Sequence, residues 1–331
     1  MPIRRDSRAD PARGASRGAQ EGGNRVALLR KAVSRLIQGV IVVIGITLIT
    51  FLATFLTGDP AALMLGEGAS TEEIAEFRST MGFDRPLYVQ YGEFLSKAVR
   101  GDFGQSLYYK RSNIELVMER LPNTVKLAAI ALVFSLVAAI PLGILAARLH
   151  NTWGDTLIML FGLIGQAMPS FWFGLMMMLL FSVRLRVLPV SGMGTWKNYV
   201  MPAIALSTFP LAQNLRMMRS SMLEVLGDDY IKTARSKGLS EVRVYCKHAL
   251  KNSLKPVITQ VGLQMGTFLG GAVVIETIFA WPGIGRLAVQ AIQFKDFPLL
   301  QTVVAFLGIA FVLVNFLVDI VYSLIDPRVR V

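Results

Sequence analysis

Very few side chains in this sequence could carry covalent, redox or metal chemistry. The chain has one cysteine, Cys246, and two histidines, His150 and His248, which excludes an intrachain disulfide and leaves a His/Cys metal cage without ligands. Neither histidine belongs to an H-E-x-x-H pattern, the spacing that sets two imidazoles and a general base on one helix face around zinc. The dipeptide Gly-Lys is absent, so no G-x-x-x-x-G-K-[ST] loop can cradle nucleotide phosphates. No catalytic residue, cofactor site or metal site is expected.

The residues that are spaced for recognition lie in the charged stretch 216–255. Asp228 and Asp229 favour a helix N-terminus by capping and by complementing its dipole, and Gly238 stands where a left-handed C-terminal residue would. Between them the pattern predicts a short helix, Tyr230–Lys237. Ser240 and Glu241 start a second helix running to about Asn252, and Pro256 follows at the entry to an uncharged stretch. A short helix between two membrane-entering arms, with Tyr230, Ile231 and Ala234 on one side, suits insertion into another protein's groove. The plain alternative is a solvated basic loop.

The elements around this stretch are set by composition. Of 331 residues, 53% are apolar and 17% charged, and the mean hydropathy is +0.51, which marks a membrane protein. An ionised side chain at the bilayer centre costs about 2.5–3.5 kcal/mol on insertion scales, so spans lie where charge is missing. Six windows qualify: Leu36–Thr57, Leu127–Ala147, Thr156–Val183, Asn198–Leu215, Pro256–Ile275 and Phe297–Val318. The fold class expected is all-α with six transmembrane helices. The fourth window carries Pro202 and Pro210 and is either a kinked span or a re-entrant segment. Gly262, Gly266 and Gly270 recur four apart in the fifth, a face on which another helix can approach closely. Gln166, Gln213, Asn214, Gln260, Gln264 and Asn315 fall inside windows and must face the bundle or a wet path, because lipid cannot satisfy an amide.

Charge orders the loops. The net charge of +12 would suggest nucleic acid in a soluble domain, but here its placement matters more, and no nucleic-acid partner is expected. Residues 1–35 hold nine Lys/Arg against three acids and 216–255 nine against four, whereas 58–122 holds seven against ten. The positive-inside bias therefore puts both termini and 216–255 in the cytoplasm and 58–122 outside. Residues 1–30 read as a disordered basic cytoplasmic tail, able to meet lipid, and 31–57 as the first transmembrane helix. In the extracytoplasmic helical segment 58–122, Ser70 and Glu73 form a capping-box pattern and Gly82 a left-handed stop. A second helix starts at Pro86 and closes at Gly101, and a third piece, Ile114–Leu121, ends at Pro122. This segment is either a scaffold cap or a docking surface for a partner. Residues 123–331 make the remaining membrane domain.

Several classes are excluded. No window contains His or Asp, so intramembrane Ser/His and paired-Asp proteolysis fail, and the mid-membrane ionisable groups typical of coupled secondary transporters are missing. A passive channel or a permease powered from outside remains, and the groove-seeking helix favours the second.

These residues carry a family resemblance. Tyr230-Ile231-Lys232-Thr233-Ala234-Arg235-Ser236-Lys237-Gly238-Leu239-Ser240, with His248-Ala249-Leu250-Lys251-Asn252-Ser253, resembles the EAA loop of ABC-importer permeases of the dipeptide, oligopeptide and nickel group. Further matches are Gly58-Asp59-Pro60, Pro86-Leu87 with Gln90-Tyr91, Gly101-Asp102-Phe103-Gly104 with Ser106, and Leu121-Pro122-Asn123-Thr124. Pro169-Ser170-Phe171, Leu188-Pro189 with Ser191-Gly192, Glu276-Thr277-Ile278-Phe279, Pro282-Gly283-Ile284-Gly285 and Leu324-Ile325-Asp326-Pro327-Arg328-Val329 complete the set. The large segment after the first span is similar to that of the B-type subunit. The resemblance implies a type I importer fold in the bacterial inner membrane and a heterodimer with a second homologous, C-type permease. It also implies two cytoplasmic ABC ATPases that bind the ATP and an extracytoplasmic substrate-binding protein. The substrates implied are di- or oligopeptides, with nickel, glutathione or another small solute as alternatives. It assigns ATPase coupling to Asp229, Tyr230, Ile231, Thr233, Ala234, Lys237, Gly238 and Leu239. Lys232, Thr233 and Lys251 depart from the wider superfamily, which has Glu, Ala and Pro there. The residues expected along the translocation path are Gln166, Asn214, Gln260 and Gln264.

Overall fold

The computed structural model describes residues 11–325 except Thr57 and Glu67. It is helical, with no strand among the described residues. In chain order the helices are α1 (Pro11–Leu56), α2 (Pro60–Leu65), α3 (Thr71–Met81), α4 (Leu87–Val99), α5 (Asn113–Arg148), α6 (Trp153–Ala167) and α7 (Ser170–Met177), the last extended by a π-helical stretch, Met178–Arg184. Then follow α8 (Lys197–Leu226), α9 (Asp229–Ser236) and α10 (Glu241–Arg243). A second π stretch, Val244–Ala249, leads into α11 (Leu250–Ile278), and α12 (Ile284–Gln293) and α13 (Phe297–Ile325) end the chain.

Three helices, α1 from Val33, α5 and α13, are long and apolar enough to cross a membrane, and five spans result if each of two bent pairs counts as one. The remaining expected span, the fourth window, falls in α8, which is too polar to qualify by composition. It is instead the central helix, packed against α5, α6, α7 and α11, so most of its surface needs no lipid-compatible side chains. It is continuous through Pro202 and Pro210, so the re-entrant alternative for this window is not what forms.

Prolines divide the expectations. The window 156–183 is not one straight span: it breaks at Met168-Pro169, and the two halves are bent by 102°. Met168 is extended at φ −79°, ψ 130°, as a residue before proline prefers. Pro122, expected to end a helix, lies inside the 36-residue α5. Interior proline costs about 3 kcal/mol, but Leu116 and Val117 pack on α12 and α13 while Leu127 and Ala131 sit in a second cluster with Met201 and Ile275, so both halves are held in line. Pro256 likewise lies inside α11, and the helix expected to stop near Asn252 runs on. α11 bends by 64° between Gly266 and Gly270. Residues 1–10 of the basic segment expected to be disordered lie outside the described residues, as do the final motif residues Asp326–Val329, and the chain is helical from Pro11. Alanine and arginine propagate an already nucleated helix well.

The caps read from sequence for α3 are present. Ser70 and Glu73 form the reciprocal capping box, and Gly82 closes α3 at φ 73°. α4 lies on α1, where the Tyr91 hydroxyl donates to Ile44 O at 2.8 Å. The Gly101–Ser106 turn docks on the start of α13: Ser106 Oγ donates to Asp296 Oδ2 at 2.5 Å, Asp296 caps Leu299 N at 3.2 Å, and Phe103 packs on Phe306.

Candidate coupling and translocation site

Helix α9 is held at one end of the bundle between α8 and the helix that becomes α11. Its N-cap, Asp228, is extended, but no side-chain cap bond forms; the left-handed stop at Gly238 is present at φ 77°. Ile231 and Ala234, three apart and therefore on one face, are buried against Met218, Met222, Val244, Ala249 and Val257. The apolar side expected to enter a partner's groove is thus filled by the chain's own core. What α9 presents outward is Asp229, Tyr230, Thr233 and Lys237, with Gly238 exposed and Leu239 half-buried. Asn252 Nδ2 donates to the Tyr230 hydroxyl at 2.8 Å, and Arg235 pairs with Glu241 at 2.9 Å, so the short helix is braced against the following arm. Burial on one side and bracing on the other make α9 a rigid handle on α8 and α11.

The amide residues divide into two groups. Gln260 Nε2 and Gln264 Nε2 both donate to Gln213 Oε1, at 3.2 and 2.8 Å, linking α11 to α8. Asn214, the next residue, turns the other way and donates to Ser135 Oγ on α5 at 3.1 Å, while its Oδ1 is buried without a partner. Gln166 on α6 has a buried, unpartnered Oε1, and Asn315 on α13 is half-buried; neither joins the glutamine trio. Of the glycine face, a Cβ at Gly262 would stand 2.6 Å from Val318 and one at Gly266 2.6 Å from Phe311, so these two seat α13 against α11. Gly270 has open space instead, because the bend in α11 turns it away.

Two arrangements were not foreseen from residue types. One is the ion pair between Asp155 on α6 and Arg219 on α8, with His150 Nδ1 3.2 Å from Arg219 Nη2. The other lies at the opposite end of the bundle, where several matched motifs converge. Glu276 is fully buried; Thr124 Oγ1 donates to its Oε1 at 2.5 Å and Arg286 N to its Oε2 at 3.0 Å. Thr124 Oγ1 in turn accepts Ile284 N at 2.9 Å, Trp281 Nε1 donates to Asn123 O, and Asn123 Nδ2 to Pro282 O. A Cβ at Gly283 would fall 2.2 Å from the Glu276 carboxyl, which is why that turn is glycine. The carboxylate caps α12 and ties it to α5 and α11.

The arrangement is one of mechanical linkage between helices, without reactive groups, and among the described residues no cluster of His, Cys, Asp or Glu could hold a metal ion. The pattern of the family described as "Binding-protein-dependent transport system inner membrane component" matches residues 139–331, and that of its N-terminal region, "Binding-prot-dependent transport system membrane comp, N-term", residues 28–128. The chain belongs to this family. Among curated relatives it is 40% identical over 92% of its length to the whole of a dipeptide transport system permease protein, DppB, of Alkalihalophilus pseudofirmus. It is 41% identical over 90% of its length to 98% of a putative peptide transport system permease protein of Brucella abortus. It is 36% identical over 92% of its length to 99% of the glutathione transport system permease protein GsiC of Escherichia coli K12. The fold resembles the MetNI methionine ABC transporter in an inward-facing conformation, with a TM-score of 0.55 at 16% identity, covering 64% of this chain and 96% of that one. As a binding-protein-dependent inner membrane component, the protein is a multi-pass membrane permease subunit of an ABC importer and not an enzyme. Membership brings ATPase and substrate-binding partners, and ATP hydrolysis belongs to the former.

Proposed function

We propose that this chain is the B-type permease of a di- or oligopeptide importer of a bacterial inner membrane. It pairs with a homologous C-type permease, two cytoplasmic ATPases and an extracytoplasmic binding protein. Both termini and the 216–255 segment face the cytoplasm, and 58–122 faces outward, as the distribution of Lys and Arg favours. The observation that carries this reading is α9: a short helix anchored inward by Ile231 and Ala234 whose outer side, Asp229, Tyr230, Thr233, Lys237 and Gly238, stays exposed among the described residues. An ATPase pair that closes on ATP binds the permease states unequally through such a handle, and that differential binding drives alternating access. Because α9 is fixed to α8 and α11, its displacement moves the two helices that carry the Gln213, Gln260 and Gln264 trio. Gln166 and Asn214, each with a buried unpartnered oxygen, stand apart from this trio, Asn214 bonding to Ser135 on α5.

Peptide substrates are supported by the names of the dipeptide and peptide permeases to which the chain is similar. The likeness to the glutathione permease favours a second reading, glutathione as cargo. Uptake of labelled dipeptide, tripeptide and glutathione by cells lacking the gene, with and without its return on a plasmid, separates the two. Restored peptide uptake that needs ATP is expected. Restored glutathione uptake alone selects the second reading, and conduction by the purified chain in the absence of partners would make it a channel.

A further inference from the structure

Helix α8 has one face that the described residues leave uncovered and that is not apolar. Phe209, Gln213, Arg216, Ser220 and Glu224 recur at three- and four-residue spacing, which stacks them on one side. Phe209, Ser220 and Glu224 are exposed and Gln213 and Arg216 half-buried, whereas Leu215, Met218 and Met222 opposite them are buried. The uncovered faces of α1 and α5 are different, being built from Ile37, Ile41 and Ile49 and from Val133 and Val137. Those suit acyl chains. Acyl chains cannot satisfy an amide or a guanidinium, so the α8 face looks onto water, a polar solute or the paired permease rather than the hydrocarbon.

Gln213 is bordered on its α11 side by Gln260 and Gln264, which donate to its oxygen. Amides are neutral donors and acceptors, suited to peptide groups sliding past. Arg216 lies one turn further along, just past the uncharged stretch that ends at Leu215. Among the described residues no carboxylate lies within ion-pair distance of it, while its neighbour Arg219 is held by Asp155. A guanidinium presents two parallel N–H groups that match one carboxylate.

We propose that Arg216 is a carboxylate-receiving subsite at the α9 end of the translocation path, taking a free carboxylate of the transported peptide while Gln213 and Gln260 meet its peptide groups. The inference rests on the peptide-importer reading. It is tested on the complete complex with its binding protein in liposomes, carrying Arg216→Gln or Arg216→Lys, with imported peptide and hydrolysed ATP measured in the same sample. Arg216→Gln is expected to lower peptide imported per ATP about tenfold, the scale of a charge-assisted hydrogen bond, without changing the ATPase stimulation by loaded binding protein. Arg216→Lys retains most of the import. Equal falls in import and ATPase would make Arg216 a structural residue and overturn the proposal, as would full import by Arg216→Gln. A loss that vanishes in vesicles without anionic phospholipid overturns it too, by giving the guanidinium to lipid phosphate. A wild-type complex that imports no peptide sinks the underlying reading, so the two failures are told apart.

Discussion

Arg219 grips Asp155 through two parallel bonds, Nε to Oδ1 and Nη2 to Oδ2, each 2.6 Å, and so joins the start of α6 to α8 ten residues before α9 begins. The Asp155 side chain is 7% exposed and that of Arg219 21%, so the pair is shielded from water on the α6 side. Any movement passed from α9 into α8 is passed to α6 through this contact.

Removing one partner of such a pair strands the other. Asp155→Ala is expected to destabilise the purified permease by about 1.5–3 kcal/mol, the scale of hydrogen bonds to a charged group, read as a lower thermal midpoint in detergent. Asp155→Ala with Arg219→Met should recover much of the loss, because no buried charge is left alone. An additive double mutant would mean the two residues act separately.

Gly238 and Ile231 should separate docking from folding. A Cβ at Gly238 meets nothing within 4 Å, but its φ of 77° strains any L side chain by about 1 kcal/mol. Gly238→Asp is therefore expected to leave the permease stable and to lose the ATPase on purification, since a charge enters the proposed contact. Ile231→Asp, buried in the core beneath α9, is expected to unfold that end of the bundle. Equal behaviour of the two variants would show that α9 is not a docking element.

At the other end, Glu276→Gln keeps the shape but offers one amide oxygen where the carboxyl accepts at two, from the Thr124 hydroxyl at Oε1 and the Arg286 N–H at Oε2, and Glu276→Ala leaves both donors without that acceptor. The alanine variant is expected to cost about 1–3 kcal/mol more than the glutamine one, measured by thermal shift. Proteolytic susceptibility of the α12 turn should rise in parallel.

The glycine stripe makes a graded set. Gly262→Leu and Gly266→Leu place side chains where Val318 and Phe311 already stand, so α13 must be displaced, whereas Gly270→Leu enters open space. The first two are expected to lower folded yield severalfold relative to the third.

How far the sequence reaches depends on the range of the interaction that decides each feature. Ser70, Glu73 and Gly82 act within one turn, and the helix they bound forms where their spacing predicts. Absence of charge marks the apolar stretches of α1, α5 and α13 that are long enough to cross a membrane, since desolvation is a property of the residue itself. Proline effects were misjudged because packing decides them: Pro169 breaks its helix, while Pro122 and Pro256 sit in helices held on both sides. Tyr230, Ile231 and Ala234 were grouped by apolarity, yet burial of α9 against Met218 and Val244 takes the second and third and leaves the first outside. The Asp155–Arg219 and Ser106–Asp296 contacts join residues 64 and 190 positions apart, and no local pattern marks them.

The most direct measurement is purification of the tagged protein from its own cells in mild detergent, with Gly238→Asp beside it, and mass spectrometry of what accompanies each. Wild type should bring a second six-span permease and Walker-motif ATPases, and the variant should keep the permease while losing the ATPases. Recovery of the wild-type chain alone, repeated after cross-linking in cells, would contradict the assignment of α9 as the handle through which ATP hydrolysis drives import.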